Sequence, residues 1–138
     1  DRIILEITEG AVMANPELAI QVLLKLRNLG FKLSIDDYGT GYSSLAKLKT
    51  LPVDELKIDK AFVMQLNEDR DDQVIVESTI ELAHNINLTV VAEGVENEES
   101  YQLLEQWGCD KLQGYFISRP LAVAQFETWL HDYESQNL

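Results

Sequence analysis

The chain has 138 residues, enough for one domain with a real core but with few to spare. Hydrophobic residues make up 46% and charged residues 25%, an ordinary globular composition that speaks against disorder. Acidic residues outnumber basic ones by 24 to 11, and the resulting charge of -13 argues against DNA, RNA or anionic lipid as a partner, since each needs a positive footprint. An anionic ligand would need positive charge brought in, and divalent cations are the obvious source. The single cysteine, Cys109, allows no internal disulfide and fits a reducing cytosol. Its neighbours Trp107, Gly108 and Leu112 suggest a small packed thiol, and no histidine lies nearby to activate it as a nucleophile. No apolar run approaches the roughly 20 residues that span a bilayer. The first five residues are unlike a signal peptide and read as a strand whose preceding residues have been cut off.

One pattern recurs five times along the chain: a short apolar strand ending in a polar residue, then an amphipathic helix. Residues 3–7 read as a β-branched strand. Asn15 then makes an N-cap with Pro16 in the first turn, and Leu18, Val22, Leu26 and Leu29 recur at helical spacing until Gly30. Residues 32–36 form a second strand, followed by a glycine-rich loop and a short helix ended by Pro52. The third strand is 55–58, and its helix, over 71–86, carries Ile75, Thr79, Leu82 and Ile86 on one face. Strand 89–92 leads to a helix over 98–107 with Gly108 at its end; strand 111–115 leads to the closing helix over 122–133. This alternation predicts an α/β fold with a parallel sheet, either doubly wound or a β/α barrel. No linker or low-complexity segment divides residues 1–138, which read as one unit. The absence of GxGxxG or a Walker loop after any strand disfavours a nucleotide-binding sheet.

Side chains alternate along a strand, so parity shows which residues share a face. Leu33 and Ile35 oppose Ser34 and Asp36; Leu56 and Ile58 oppose Glu55, Lys57 and Asp59. Glu6 sits opposite Ile3, Leu5 and Ile7, while Glu93 shares parity with Val91 and Gln113 with Lys111. Each strand thus delivers a polar residue near its C-terminal end, on the face away from its helix, which in a barrel is the catalytic rim. Glu6, Asp36, Asp37 and Glu93 gathered there would repel unless they took up protons or cations. Hard oxygen ligands select Mg²⁺, Mn²⁺ or Ca²⁺ over zinc. Adjacent aspartates can bridge an ion pair of the kind used in phosphodiester displacement, and Lys57 adds a positive charge to orient water or steady phosphate. Each residue also has a plainer reading. Glu6 can be a solvated strand end, Asp36 and Asp37 a turn before Gly39, Lys57 with Asp59 a surface pair, and Glu93 a helix cap. His84 and His131 read as surface residues.

The run Asp36, Asp37, Tyr38, Gly39, Thr40, Gly41, Tyr42, Ser43, Ser44 and Leu45 resembles the signature loop of the EAL domain family. Around it, in the family's order, stand Leu5-Glu6-Ile7-Thr8-Glu9, Leu56-Lys57-Ile58-Asp59, Ala92-Glu93-Gly94-Val95-Glu96 and Gln113-Gly114-Tyr115. Each short motif is weak alone, and the set covers essentially the whole chain. The resemblance implies a modified TIM barrel that hydrolyses cyclic di-GMP to the linear dinucleotide with two Mg²⁺ or Mn²⁺ ions. By the same carry-over Glu6, Asp36 and Asp37 would be metal ligands, with Asp36 bridging the ions. Lys57 would position the attacking water, Glu93 would act as base or orienting acid, and Gln113 would touch substrate. Glu9 resembles a loop-anchoring glutamate and Glu96 an acid behind the ligands. The signature loop from Tyr38 to Ser44 resembles an element joining a homodimer interface to the site. Sensory or GGDEF-type domains would accompany it in a bacterial cytoplasmic, or membrane-tethered, parent protein.

The departure lies at the front. A TIM barrel needs about 250 residues, and only about five of its eight strand–helix units are present. Missing are the Glu-Ala-Leu motif with its metal-binding Glu, the Arg that follows it and an Asn ligand. The expectation is therefore a partial EAL domain, the C-terminal portion of a hydrolase, inactive in isolation. The competing reading is an EAL-type module that senses cyclic di-GMP or meets a protein partner without turnover.

Overall fold

The computed structural model describes residues 3–38 and 45–137, the side chains of residues 37, 38, 45 and 46 excepted. Five strands, β1 (Ile4–Thr8), β2 (Lys32–Tyr38), β3 (Glu55–Ile58), β4 (Thr89–Glu93) and β5 (Lys111–Gln113), form one parallel sheet. Their spatial order is their chain order, β1-β2-β3-β4-β5. A doubly wound sheet reverses direction at a switch point, whereas a barrel adds each strand on the same side of the last. The sheet is therefore an open arc of the barrel type, and the strand count of five agrees with the sequence pattern.

Register fixes the two faces. Ile7, Ile35, Leu56 and Val90 lie level across the sheet, as do Glu6, Ser34, Glu55 and Thr89 one residue earlier. The first set, with Leu33, Ile58 and Ala92, turns toward the helices. These residues are almost fully buried in the central strands β2 to β4 and half-buried in β1. The second set and its i+2 neighbours form the polar face. The β2–β3 register shifts between Ile35 and Tyr38, the stretch that carries Asp36 and Asp37.

Seven helices lie among the described residues: α1 (Glu9–Ala14), α2 (Pro16–Asn28), α3 (Leu45–Thr50), α4 (Lys60–Val63), α5 (Arg70–Asn85), α6 (Glu98–Gln106) and α7 (Val123–Gln136). The short helices α1 and α4 escape periodicity because six and four residues hold too little pattern. Each is announced by a cap at the strand end. Thr8 Oγ1 accepts from the Ala11 N–H at 3.2 Å, and Asp59 Oδ1 accepts from the Ala61 N–H at 2.8 Å. The expected cap Asn15 accepts from the Leu18 N–H, and Asn97, not singled out in the sequence, accepts from the Ser100 N–H.

Two expected helix faces are corrected. In α2 the buried anchor is Leu23, while Leu18, Val22 and Leu29 are exposed and Leu26 is half-buried. In α5 the buried row is Val76, Ile80 and Ala83, and Ile75 and Leu82 face outward. Both helices carry two adjacent apolar rows, so spacing alone leaves the rotation open. Strand β5 ends at Gln113 rather than Tyr115, because the chain turns there with the Val95 N–H donating to the Gln113 carbonyl at 3.1 Å. Helix α7 buries none of its residues, and Phe126, Trp129 and Tyr133 stack along it at 5.9 and 5.1 Å between ring centroids. No helix among the described residues is long and apolar enough to cross a membrane.

Candidate active site

Lys57 is the centre of the polar rim. It lies in β3, a strand buried along its whole length, and its ammonium donates to Glu6 Oε1 of β1 at 2.7 Å. The same nitrogen is 2.7 Å from Glu93 Oε1 of β4. The Lys57 side chain is 5% exposed against 50% for Glu6 and 20% for Glu93, so a buried cation reaches out to two acids nearer solvent. A buried ammonium is tolerated only when such partners replace its water. Burial lowers the Lys57 pKa, but hydrogen bonds to Glu6 and Glu93 and the charges of Glu93 and Asp36 outweigh it and hold the ammonium well above its ordinary range. Lys57 is thus a permanent cation at this mouth.

Glu6 and Glu93 meet on Lys57 from β1 and β4. Asp36, level with Thr8 at the end of β2, is close enough for its charge to bear on Lys57. Glu6, Asp36 and Glu93 against Lys57 leave the mouth two negative charges in excess, the charge that one divalent cation carries. An all-oxygen donor set suits Mg²⁺, Mn²⁺ or Ca²⁺. Among the described residues no three carboxylate, histidine or cysteine groups already converge on one point, since Lys57 stands between Glu6 and Glu93. In charge and chemistry the residues fit a divalent ion; the Asp37 side chain and residues 39–44, which complete the expected loop, lie outside the described residues.

Beside Glu93 a pocket of about 410 Å³ opens over the ends of β3, β4 and β5, lined in part by Asp59, Lys60, Glu93, Glu96, Gln113 and Tyr115. Gln113 lies level with Glu93 across the β4–β5 pair. Glu96 is an exposed part of the wall, and Glu9 is buried at the start of α1 just past β1. Gly94 makes the wall possible. Its φ is +80°, and a Cβ there would fall 2.6 Å from Lys60 Cβ. The idea of a Lys57–Asp59 surface pair is corrected: Lys57 is buried on Glu6 and Glu93, and Asp59 caps α4.

Three contacts went unread in the sequence. Lys111 Nζ pairs with the buried Glu55 Oε2 at 2.6 Å, on the same face as Lys57. His84 Nε2 lies 2.8 Å from Asp110 Oδ2, which also accepts from the Val90 N–H at 2.7 Å. Burial pushes the Asp110 carboxyl up, but His84 and the Val90 N–H outweigh it and hold it below the usual range. Burial likewise pushes the Cys109 thiol up to about 11, in keeping with the small packed thiol expected from the sequence. Parity puts Glu55 and Lys111 on one face but only the register of β3, β4 and β5 brings them together, and nothing local signals His84 and Asp110, which meet only when α5 lies on the sheet.

An open arc of parallel strands in chain order, alternating with helices and carrying Glu6, Lys57 and Glu93 near the strand ends, defines the class of β/α-barrel folds. Within that class the chain belongs to the EAL domain family, whose model matches residues 1–120. It is 46% identical over 129 residues to the cyclic di-GMP phosphodiesterase NbdA of Pseudomonas aeruginosa, covering 94% of this chain but 16% of NbdA. The solved PaMucR phosphodiesterase in complex with c-di-GMP superposes with a TM-score of 0.85 at 45% identity, over 89% of this chain and 50% of that one. Klebsiella pneumoniae BlrP1, solved with manganese and cy-diGMP, superposes at 0.79 with 37% identity, over 86% of this chain and 30% of that one. The chain therefore spans half or less of the length of these relatives.

Proposed function

We propose that residues 1–138 are the C-terminal portion of a phosphodiesterase domain that hydrolyses cyclic di-GMP to the linear dinucleotide. The observation that carries this reading is the Lys57 ammonium held at 2.7 Å by both Glu6 and Glu93 on the rim. Glu6, Asp36 and Asp37 would hold two divalent ions, Mg²⁺ or Mn²⁺. When bound, such ions supply positive charge for a phosphodiester and acidify a water for in-line attack. Lys57, displaced from one of its acids, would orient that water and steady the charge growing on phosphate. Glu93 would take the proton or fix the direction of the water, and Gln113 would hold the substrate from the adjoining pocket wall. Klebsiella pneumoniae BlrP1, solved in complexes with calcium and cy-diGMP and with manganese and cy-diGMP, supports the oxygen-rich donor set.

The remaining half of the barrel, with further ligands, would come from another part of the polypeptide. A cytosolic setting, homodimerisation near residues 38–44 and attached sensory or GGDEF-type domains belong to the same proposal. Joining this chain to the N-terminal half of an EAL domain should give hydrolysis that a chelator abolishes and Asp36→Ala lowers at least ~100-fold. The chain alone should be inactive or nearly so. A joined domain that binds cyclic di-GMP but does not cleave it would make this a sensing module instead.

A further inference from the structure

The polar face carries a second ion pair that no role has yet absorbed. Glu55 stands two residues before Lys57 on β3, and Lys111 two residues before Gln113 on β5, so all four project from the same face. Register places Lys57, Val91 and Lys111 level with one another. Two lysines therefore rise at one height, two strands or about 10 Å apart, on either side of the buried Val91. Both stems are long enough to reach Glu93 on the strand between them, and both can reach Glu55.

Two pairings of these charges are open. In one, Lys57 drops along its own strand to Glu55 while Lys111 takes Glu93. The structure has the other: Lys57 rises to Glu6 and Glu93, and Lys111 drops to Glu55 at 2.6 Å. The burial of Glu55 explains why the choice matters. Its side chain is 8% exposed, so the carboxylate must have a cation, whereas Lys111 is 52% exposed and reaches it with little loss of hydration. By satisfying Glu55, Lys111 frees Lys57 to point at the strand ends; by holding Lys111 down, Glu55 keeps a competing ammonium off Glu93. We propose that Glu55 and Lys111 are positioning residues that sort the charges of the polar face and so aim Lys57 at the rim. The catalytic meaning of that aim rests on the hydrolase reading above, but the sorting itself is a property of the charges.

The test follows the Lys57 ammonium in the ¹H–¹⁵N spectrum of the 138-residue chain at one fixed pH, so turnover is not needed and failure of the hydrolase reading leaves the result intact. Lys111→Met strips Glu55 of its cation, and the Lys57 signal should move as the ammonium drops to Glu55. Glu55→Gln releases Lys111 to Glu93 and should move the Lys57 signal as well. The double variant carries neither competitor, and the signal should return to its native position. Lys111→Arg keeps the charge, gives a folded control if Lys111→Met does not fold, and should leave the signal unmoved. A merely structural pair would lower the melting temperature of the single variants with the Lys57 signal unchanged. That result, or a double variant as displaced as the single ones, would overturn the proposal.

Discussion

The central strands and the flanking strands follow the same alternating pattern and meet different fates. In β2, β3 and β4 the helix-facing residues Leu33, Ile35, Leu56, Ile58, Val90 and Ala92 are all buried to 2% exposure or less. In β1 and β5 the equivalent Leu5, Ile7 and Leu112 are only half-buried. The helices repeat the contrast, since α5 anchors Val76, Ile80 and Ala83 in the core while α7 buries nothing. In the strands, pattern alone decides which face turns inward; how completely it is buried depends on neighbours on both sides of the strand. The candidate site is built across this divide, with a cation from the buried centre and the half-exposed Glu6 from a flank.

Four substitutions probe the contrast, in falling order of effect. Leu56→Ala should cost about 2–5 kcal/mol of stability in urea unfolding, against about 1–2 kcal/mol for Leu112→Ala in β5. Equal costs would mean that β5 is as firmly held as the centre. Asp110→Asn should cost no more than about 1 kcal/mol, because the carboxylate is partly solvated. Its pKa is lowered in the folded state, so the stability it lends is complete above the unfolded value of about 4 and is lost as pH falls through the folded value. Melting curves of the variant and the parent should therefore converge in acid and separate above about pH 5. The smallest effect is expected from Leu82→Ser, within about 0.5 kcal/mol, because that residue faces outward on α5. A large loss there would restore the row Ile75, Thr79, Leu82 and Ile86 as the packed face.

The order of strands and helices was legible because each strand is short, apolar and ended by a polar residue, and the meeting of Glu6 and Glu93 on Lys57 because parity puts all three on one face of the sheet. Helix rotation was not legible. Leu18 and Val22 match a buried stripe as well as Leu23 does, and only the seating of the helix on the sheet decides between them. Glu55 and Lys111 were passed over for a similar reason. Each is an ordinary strand residue until the register of β3, β4 and β5 sets them within reach of each other. Thr8 and Asp59, by contrast, were readable as caps from their positions and were missed because the helices they open are so short.

The most direct test of the central claim is the rate of cyclic di-GMP hydrolysis by the joined domain with Lys57 intact and as Lys57→Ala. If Lys57 is the cation that Glu6 and Glu93 hold for chemistry, the variant should fold and bind cyclic di-GMP yet lose at least ~100-fold in kcat. An unchanged kcat in a folded Lys57→Ala domain would contradict the account.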